Sequence, residues 1–113
     1  MHDEQITVTQ RCGNVYEDLG LPDAKEMLVK AQLALSIARI IKSRGLTQSK
    51  AAKIIGLSQP KLSYMLNGKF RGISEAKMLE CITRLGRDIQ IVIQPSTHRE
   101  TENGHIEVVY AYF

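Results

Sequence analysis

The sequence predicts a mainly helical bundle with a small β element, a strand or hairpin, at its C-terminal end. Two patterns carry that expectation. Between residues 24 and 85, apolar side chains recur at three- and four-residue intervals, in segments that open on capping residues and close near glycines. After Gly86 the pattern changes to short runs rich in β-branched and aromatic residues, Asp88–Gln94 and Ile106–Phe113, the first closed by Pro95. Composition agrees: 113 residues, 43% of them hydrophobic but only 5% aromatic and none Trp, suit one compact domain with a core of Leu, Ile, Val, Met and Ala.

Residues 1–22 read as a loosely ordered segment. Ile6 and Val8 alternate with Thr7 and Thr9, so Gln5–Thr9 could add a short edge strand, and Gly13 to Leu21 is rich in turn formers ahead of Pro22. The first helix is expected over 24–44, about 30 Å at 1.5 Å per residue. Asp23 is a good N-cap for it, with Glu26 completing a capping-box-like pair. Its apolar stripe is Met27, Ala31, Ala34, Ala38 and Ile41, widened by Leu28, Leu35, Ile37 and Ile40. Gly45 follows as a left-handed stop.

Two short helices come next, over 48–55 and 59–66. Thr47 caps the first and Gly56 ends it; Ser58 caps the second, and Pro60 falls in its first turn, where a missing N–H costs nothing. Asn67-Gly68 ends that helix. Ser74 can cap a fourth, 75–85, with Met78, Leu79, Ile82 and Leu85 on one face and Gly86 as its stop. The expected organisation is therefore a segment 1–22, a helical domain 23–87 and a C-terminal element 88–113. Ser96 to Gly104 reads as a polar loop.

Charge is distributed unevenly. From Arg39 through Ser74 the chain carries Arg39, Lys42, Arg44, Lys50, Lys53, Lys61, Lys69 and Arg71 and no Asp or Glu, a charge of +8 in 36 residues. The other residues contribute −5, which gives the net charge of +3. A basic block between acidic flanks points to a polyanionic partner. A solvated basic face is the plainer reading, but such faces usually mix both signs.

The two short helices joined at Gly56 have the pattern of a helix-turn-helix. Gly56 supplies the positive φ the turn needs, and Ala52 is small enough to let the second helix cross closely. Leu57, Leu62 and Met65 are apolar where the second helix must pack, and Ile55 anchors the first to the long helix. Gln59, Lys61, Ser63 and Tyr64 are then left pointing away from the core, on a helix that fits the major groove. Two ordinary core helices around a glycine turn would share this periodicity. The absence of carboxylates across the region is the feature that proximity to phosphate would produce.

The run Gly45-Leu46-Thr47-Gln48-Ser49-Lys50-Ala51-Ala52-Lys53-Ile54-Ile55-Gly56-Leu57-Ser58-Gln59-Pro60-Lys61-Leu62-Ser63-Tyr64-Met65-Leu66-Asn67-Gly68-Lys69 resembles the xenobiotic-response-element family of helix-turn-helix proteins, whose fold is lambda-repressor-like. The wider order resembles the HigA-like antitoxins: Gly13-Asn14-Val15-Tyr16-Glu17-Asp18-Leu19-Gly20-Leu21, long helix, helix-turn-helix, Lys69-Phe70-Arg71-Gly72, helix, then Leu85-Gly86-Arg87-Asp88-Ile89-Gln90-Ile91. The resemblance covers about residues 13–95, and stand-alone regulators share most of it. It implies that Gln48 holds a phosphate at the start of its helix and that Gln59, Lys61 and Tyr64 read base edges. Ser58 and Ser63 belong to the same surface, and Asn67, Lys69 and Arg71 are implied backbone contacts. Gln can pair bidentately with adenine, and Lys can donate to guanine O6 or N7. Tyr64 departs from the commoner short polar residue; it could meet a thymine methyl or lie against the sugar–phosphate chain.

A lone strand after a helical domain cannot satisfy its own backbone groups. Asp88–Gln94 must pair with Ile106–Phe113 of its own chain, with a second copy of the protein, or with both. The resemblance implies a homodimer at this end, reading a near-palindromic operator on double-stranded DNA with its recognition helices about 34–36 Å apart. It also implies a HigB-like ribonuclease toxin as partner. The alternative is a stand-alone regulator without a toxin.

Catalysis and cofactors are not expected. His2, His98 and His105 lie in the terminal segments without metal-ligand spacing, and there is no P-loop or G-x-G-x-x-G. Cys12 and Cys81 match no metal or redox spacing, as in a reduced cytoplasmic chain. No apolar run approaches the ~20 residues of a membrane span, and Met1 to Gln10 is too polar for a signal peptide.

Overall fold

In a computed structural model, the structure describes residues 24–96 and 103–111. Four helices are formed: α1 (Ala24–Ser43), α2 (Gln48–Ile55), α3 (Gln59–Leu66) and α4 (Glu75–Arg84). Each lies within one residue of its expected span. The reason is local. The hydroxyl oxygens of Thr47, Ser58 and Ser74 accept from the backbone N–H three residues on, at Lys50 (3.1 Å), Lys61 (3.3 Å) and Lys77 (3.1 Å), each satisfying one of the donors a helix leaves open at its start. Asp23, the strand expected at Gln5–Thr9 and the turns of Gly13–Leu21 lie outside the described residues.

α1 packs against α3 and α4, and α2 packs against α3 and α4. The core between them is built from Leu33, Ile37, Ile40, Ile55, Leu62, Met65, Met78, Cys81 and Leu85, joined by Phe70 and Ile73 from the loop after α3. On α1 the buried arc keeps Met27, Ala34, Ile37, Ile40 and Ile41 of the expected stripe and adds Leu33. Ala31, Ala38, Leu28 and Leu35 are only half-buried, whereas Leu33, Ile37 and Ile40 lie at its centre. An arc centred on branched side chains removes more apolar area from water than one centred on alanines. Burial pushes the Cys81 thiol above its ordinary pKa, as for an inert core cysteine.

Lys30 is 3% exposed and sits on the core side of α1. Its ammonium pairs with Glu26 at 3.1 Å and donates to the Arg71 carbonyl at 3.1 Å. A charge that deep in a protein needs such partners. The contact ties the loop that leaves α3 to the long helix.

The expected C-terminal strands are not formed among the described residues. Residues 87–96 are irregular and exposed, with Ile91, Val92 and Ile93 standing in solvent, Ile93 at 95%. Residues 103–111 do not pair with them. They run instead along the back of α1: the Val108 N–H donates to Gln32 Oε1 at 3.1 Å, and the Arg39 guanidinium lies 5.5 Å from the Tyr110 ring centroid. The segment finds its hydrogen bond on a buried glutamine, so pairing among the described residues does not supply the ladder that a strand at 88–94 requires.

Candidate nucleic-acid interface

The turn between α2 and α3 sets the geometry of this surface. Gly56 has φ 86°, its N–H donates to the Ala52 carbonyl at 2.8 Å, and the Leu57 N–H shares that acceptor at 3.1 Å. The backbone here calls for glycine. The left-handed backbone disfavours any Cβ, and a Cβ would lie 3.0 Å from Arg84 Nη1. That nitrogen donates to the Ile55 carbonyl at 3.3 Å, while Nη2 pairs with Glu80 at 2.9 Å.

α3 turns Leu62 and Met65 into the core. Its outer side carries Gln59, Pro60, Lys61 and Tyr64, all exposed, Tyr64 at 57%. The expected outward set is thus met at Gln59, Lys61 and Tyr64. Ser63 instead lies at the flank, half-buried, and its carbonyl and hydroxyl both accept from Asn67 Nδ2, at 2.9 and 3.5 Å. Asn67 thereby closes the end of α3. Pro60 was not singled out from the sequence, although its spacing of four from Tyr64 places the two on one helical face.

Gln59 is joined to Gln48 at the start of α2, its Nε2 donating to Gln48 Oε1 at 3.3 Å. The bond occupies one amide hydrogen of Gln59 and leaves its oxygen and second hydrogen for another partner, as it leaves the Gln48 amide hydrogens. Ser58 is exposed, with its hydroxyl engaged as the cap. The Lys69 ammonium lies 5.5 Å from the Tyr64 ring centroid, and Arg71 is exposed in the loop that Lys30 holds. Lys50 and Lys53 are exposed on α2. No carboxylate occurs on α2, the turn, α3 or the loop to Ser74. Nine expected site residues therefore belong to one α2–turn–α3–loop unit, with Ser58, Ser63 and Asn67 partly committed to holding α3.

Among the described residues no group of His, Cys, Asp and Glu is arranged to hold a metal ion, and no helix is long and apolar enough to cross a membrane.

Residues 15–94 match the family profile of a helix-turn-helix domain. A solved structure carrying the provisional description XRE-family transcriptional regulator superposes with a TM-score of 0.71 at 34% identity, covering 80% of this chain and 100% of its own. No curated protein matches the chain. The chain belongs to the XRE family of helix-turn-helix transcriptional regulators.

Proposed function

We propose that this regulator is a sequence-specific repressor that binds its operator with α3 in the major groove. The observation that carries the reading is the exposed Gln59, Lys61 and Tyr64 on a surface free of carboxylates. Gln59 and Lys61 supply the donors and acceptors that distinguish base pairs, and Tyr64 supplies an apolar edge. Gln48, Lys50 and the first amides of α2 offer a phosphate site, since a helix start presents open N–H groups and a positive dipole end. Lys53, Lys69 and Arg71 extend the phosphate contacts on either side. Selection of a bound sequence from a randomised duplex pool, followed by mobility shift, tests the reading. A protein that enriches no sequence is not this repressor.

Phosphate contacts and base contacts separate in salt. Lys53→Ala or Lys69→Ala is expected to weaken the selected duplex and a scrambled one alike, and to lower the slope of log affinity against log salt by about one unit each. An unchanged slope places that lysine outside the phosphate path.

The working unit is a homodimer formed through residues 88–94 and α4. Ile91, Val92 and Ile93 are exposed on a segment that lacks a ladder partner within the described chain, and a second copy supplies both the hydrogen bonds and the apolar cover. Light scattering at micromolar concentration is expected to give twice the chain mass. A monomer with and without DNA rules the dimer out.

The protein acts as the antitoxin of a type II toxin–antitoxin pair, repressing its own operon and neutralising a HigB- or RelE-like ribonuclease. Support comes from the resemblance across 13–95 and from charge: such toxins are basic, and Glu17, Asp18, Asp23 and Glu26 concentrate negative charge at the N-terminal side. Co-purification with the product of the neighbouring gene tests this. If no small ribonuclease is encoded there, the protein is a stand-alone regulator and the DNA reading stands.

A further inference from the structure

We propose that Arg84 is a positioning residue for sequence reading: it sets the angle of α3 by clamping the turn, and it does not contact DNA. The inference rests on the DNA-reading role of α3 and adds a determinant outside the helix-turn-helix itself. Arg84 is the last residue of α4. Its guanidinium reaches across to α2, where Nη1 donates to the Ile55 carbonyl at 3.3 Å, and Glu80, one turn back on α4, holds Nη2 at 2.9 Å. Ile55 is the residue before Gly56, so the clamped carbonyl belongs to the peptide that enters the left-handed turn.

Three physical effects converge there. The last carbonyls of a helix have no partner of their own, and a side-chain donor satisfies one of them. A cation at a helix C-terminus is favoured by the helix dipole. The planar fork of arginine engages Ile55 and Glu80 through separate nitrogens, so its position is fixed from both sides. Gly56 completes the arrangement, since any Cβ at that residue would press on Nη1 at 3.0 Å.

Arg44 makes a parallel contact at the same C-terminal end of α4. Its Nη1 donates to the Leu85 carbonyl at 3.0 Å, so α1 holds the end of α4 while α4 holds the end of α2. One cation of the basic block, Arg44, is thus engaged by the protein's own backbone.

The test uses the full chain, the duplex that it selects from a randomised pool, and a scrambled duplex of equal length. Arg84→Met keeps the aliphatic stem and removes the fork. The ratio of selected to scrambled affinity is expected to fall about tenfold, with the salt slope unchanged. Arg84→Lys, which can engage one acceptor at a time, restores part of the ratio. Glu80→Gln leaves the guanidinium in place but frees it, and lowers the ratio by a smaller factor. Being on an exposed rim, it remains informative if Arg84→Met does not fold by circular dichroism.

Equal weakening on both duplexes, with a slope reduced by about one unit, makes Arg84 a phosphate contact and overturns the proposal. An unchanged ratio in folded Arg84→Met, or in Glu80→Gln should the first not fold, overturns it as well. If the unaltered protein selects no sequence, it is the DNA reading that has failed.

Discussion

Leu62→Ala is expected to lower unfolding free energy by about 3 kcal/mol, within the range of buried Leu→Ala changes. Leu62 is 0% exposed at the centre of α3, inside the shared core with Ile55, Met65 and Met78. Alanine there removes three buried carbons and leaves a cavity that helices capped at both ends cannot easily close. Against a total of about 5–15 kcal/mol for a domain of this kind, that is a large fraction. The effect on function follows from the same geometry. α3 is only eight residues long, too short to hold its shape in water unaided. It is helical because Leu62 and Met65 are packed. Binding to selected and scrambled duplexes should therefore be lost together, at the lower urea concentration where the variant unfolds, in contrast to the selective losses expected at the outer face. Urea unfolding followed by circular dichroism measures the cost. A loss under about 1 kcal/mol would fall outside the cavity range and would mean that α3 is not held through this residue.

The parts of this fold that were legible in the sequence are those determined by neighbours in the chain. Thr47, Ser58 and Ser74 announce the starts of their helices, and Gly56 announces the turn, because capping and positive φ involve a few consecutive residues. α3 and its outward side were legible for the same reason: a cap, a proline in the first turn and an apolar pair at Leu62 and Met65 fix which side faces out. Contacts between distant residues were not legible. Periodicity found Met27, Ala34, Ile37, Ile40 and Ile41 on α1 but missed Leu33, which the volume to be filled turned inward. Lys30 and Gln32 carry no sign of burial in the local sequence, yet each is buried on a partner far along the chain, the Arg71 carbonyl and the Val108 N–H. The C-terminal runs have strand composition, but a strand needs a neighbour, and composition does not say where that neighbour is. Total charge does not say what each cation touches: Arg44 counts toward the basic block, and its Nη1 also donates to the Leu85 carbonyl.

Gln59→Ala is expected to cost about 1–3 kcal/mol against the selected duplex and little against a scrambled one. The residue is exposed at the start of α3, and nothing in the core depends on it. Its bond to Gln48 holds the amide in one orientation before DNA arrives, so less side-chain freedom is lost on binding. The orientation also fixes chemistry. With one hydrogen given to Gln48, the remaining oxygen and hydrogen match the N6 donor and N7 acceptor of adenine, a pairing that guanine cannot accept in the same register. Gln48→Ala should then reproduce part of the Gln59 loss, because it frees the reading amide, and add a phosphate component that appears on both duplexes. The double variant should cost less than the sum of the two, since the shared hydrogen bond can be lost only once. The preferred base at one position of the selected duplex should relax in Gln59→Ala, while the other positions keep theirs. Equal losses on selected and scrambled DNA would place Gln59 against the backbone and move the reading of bases to Lys61, Tyr64 and Pro60.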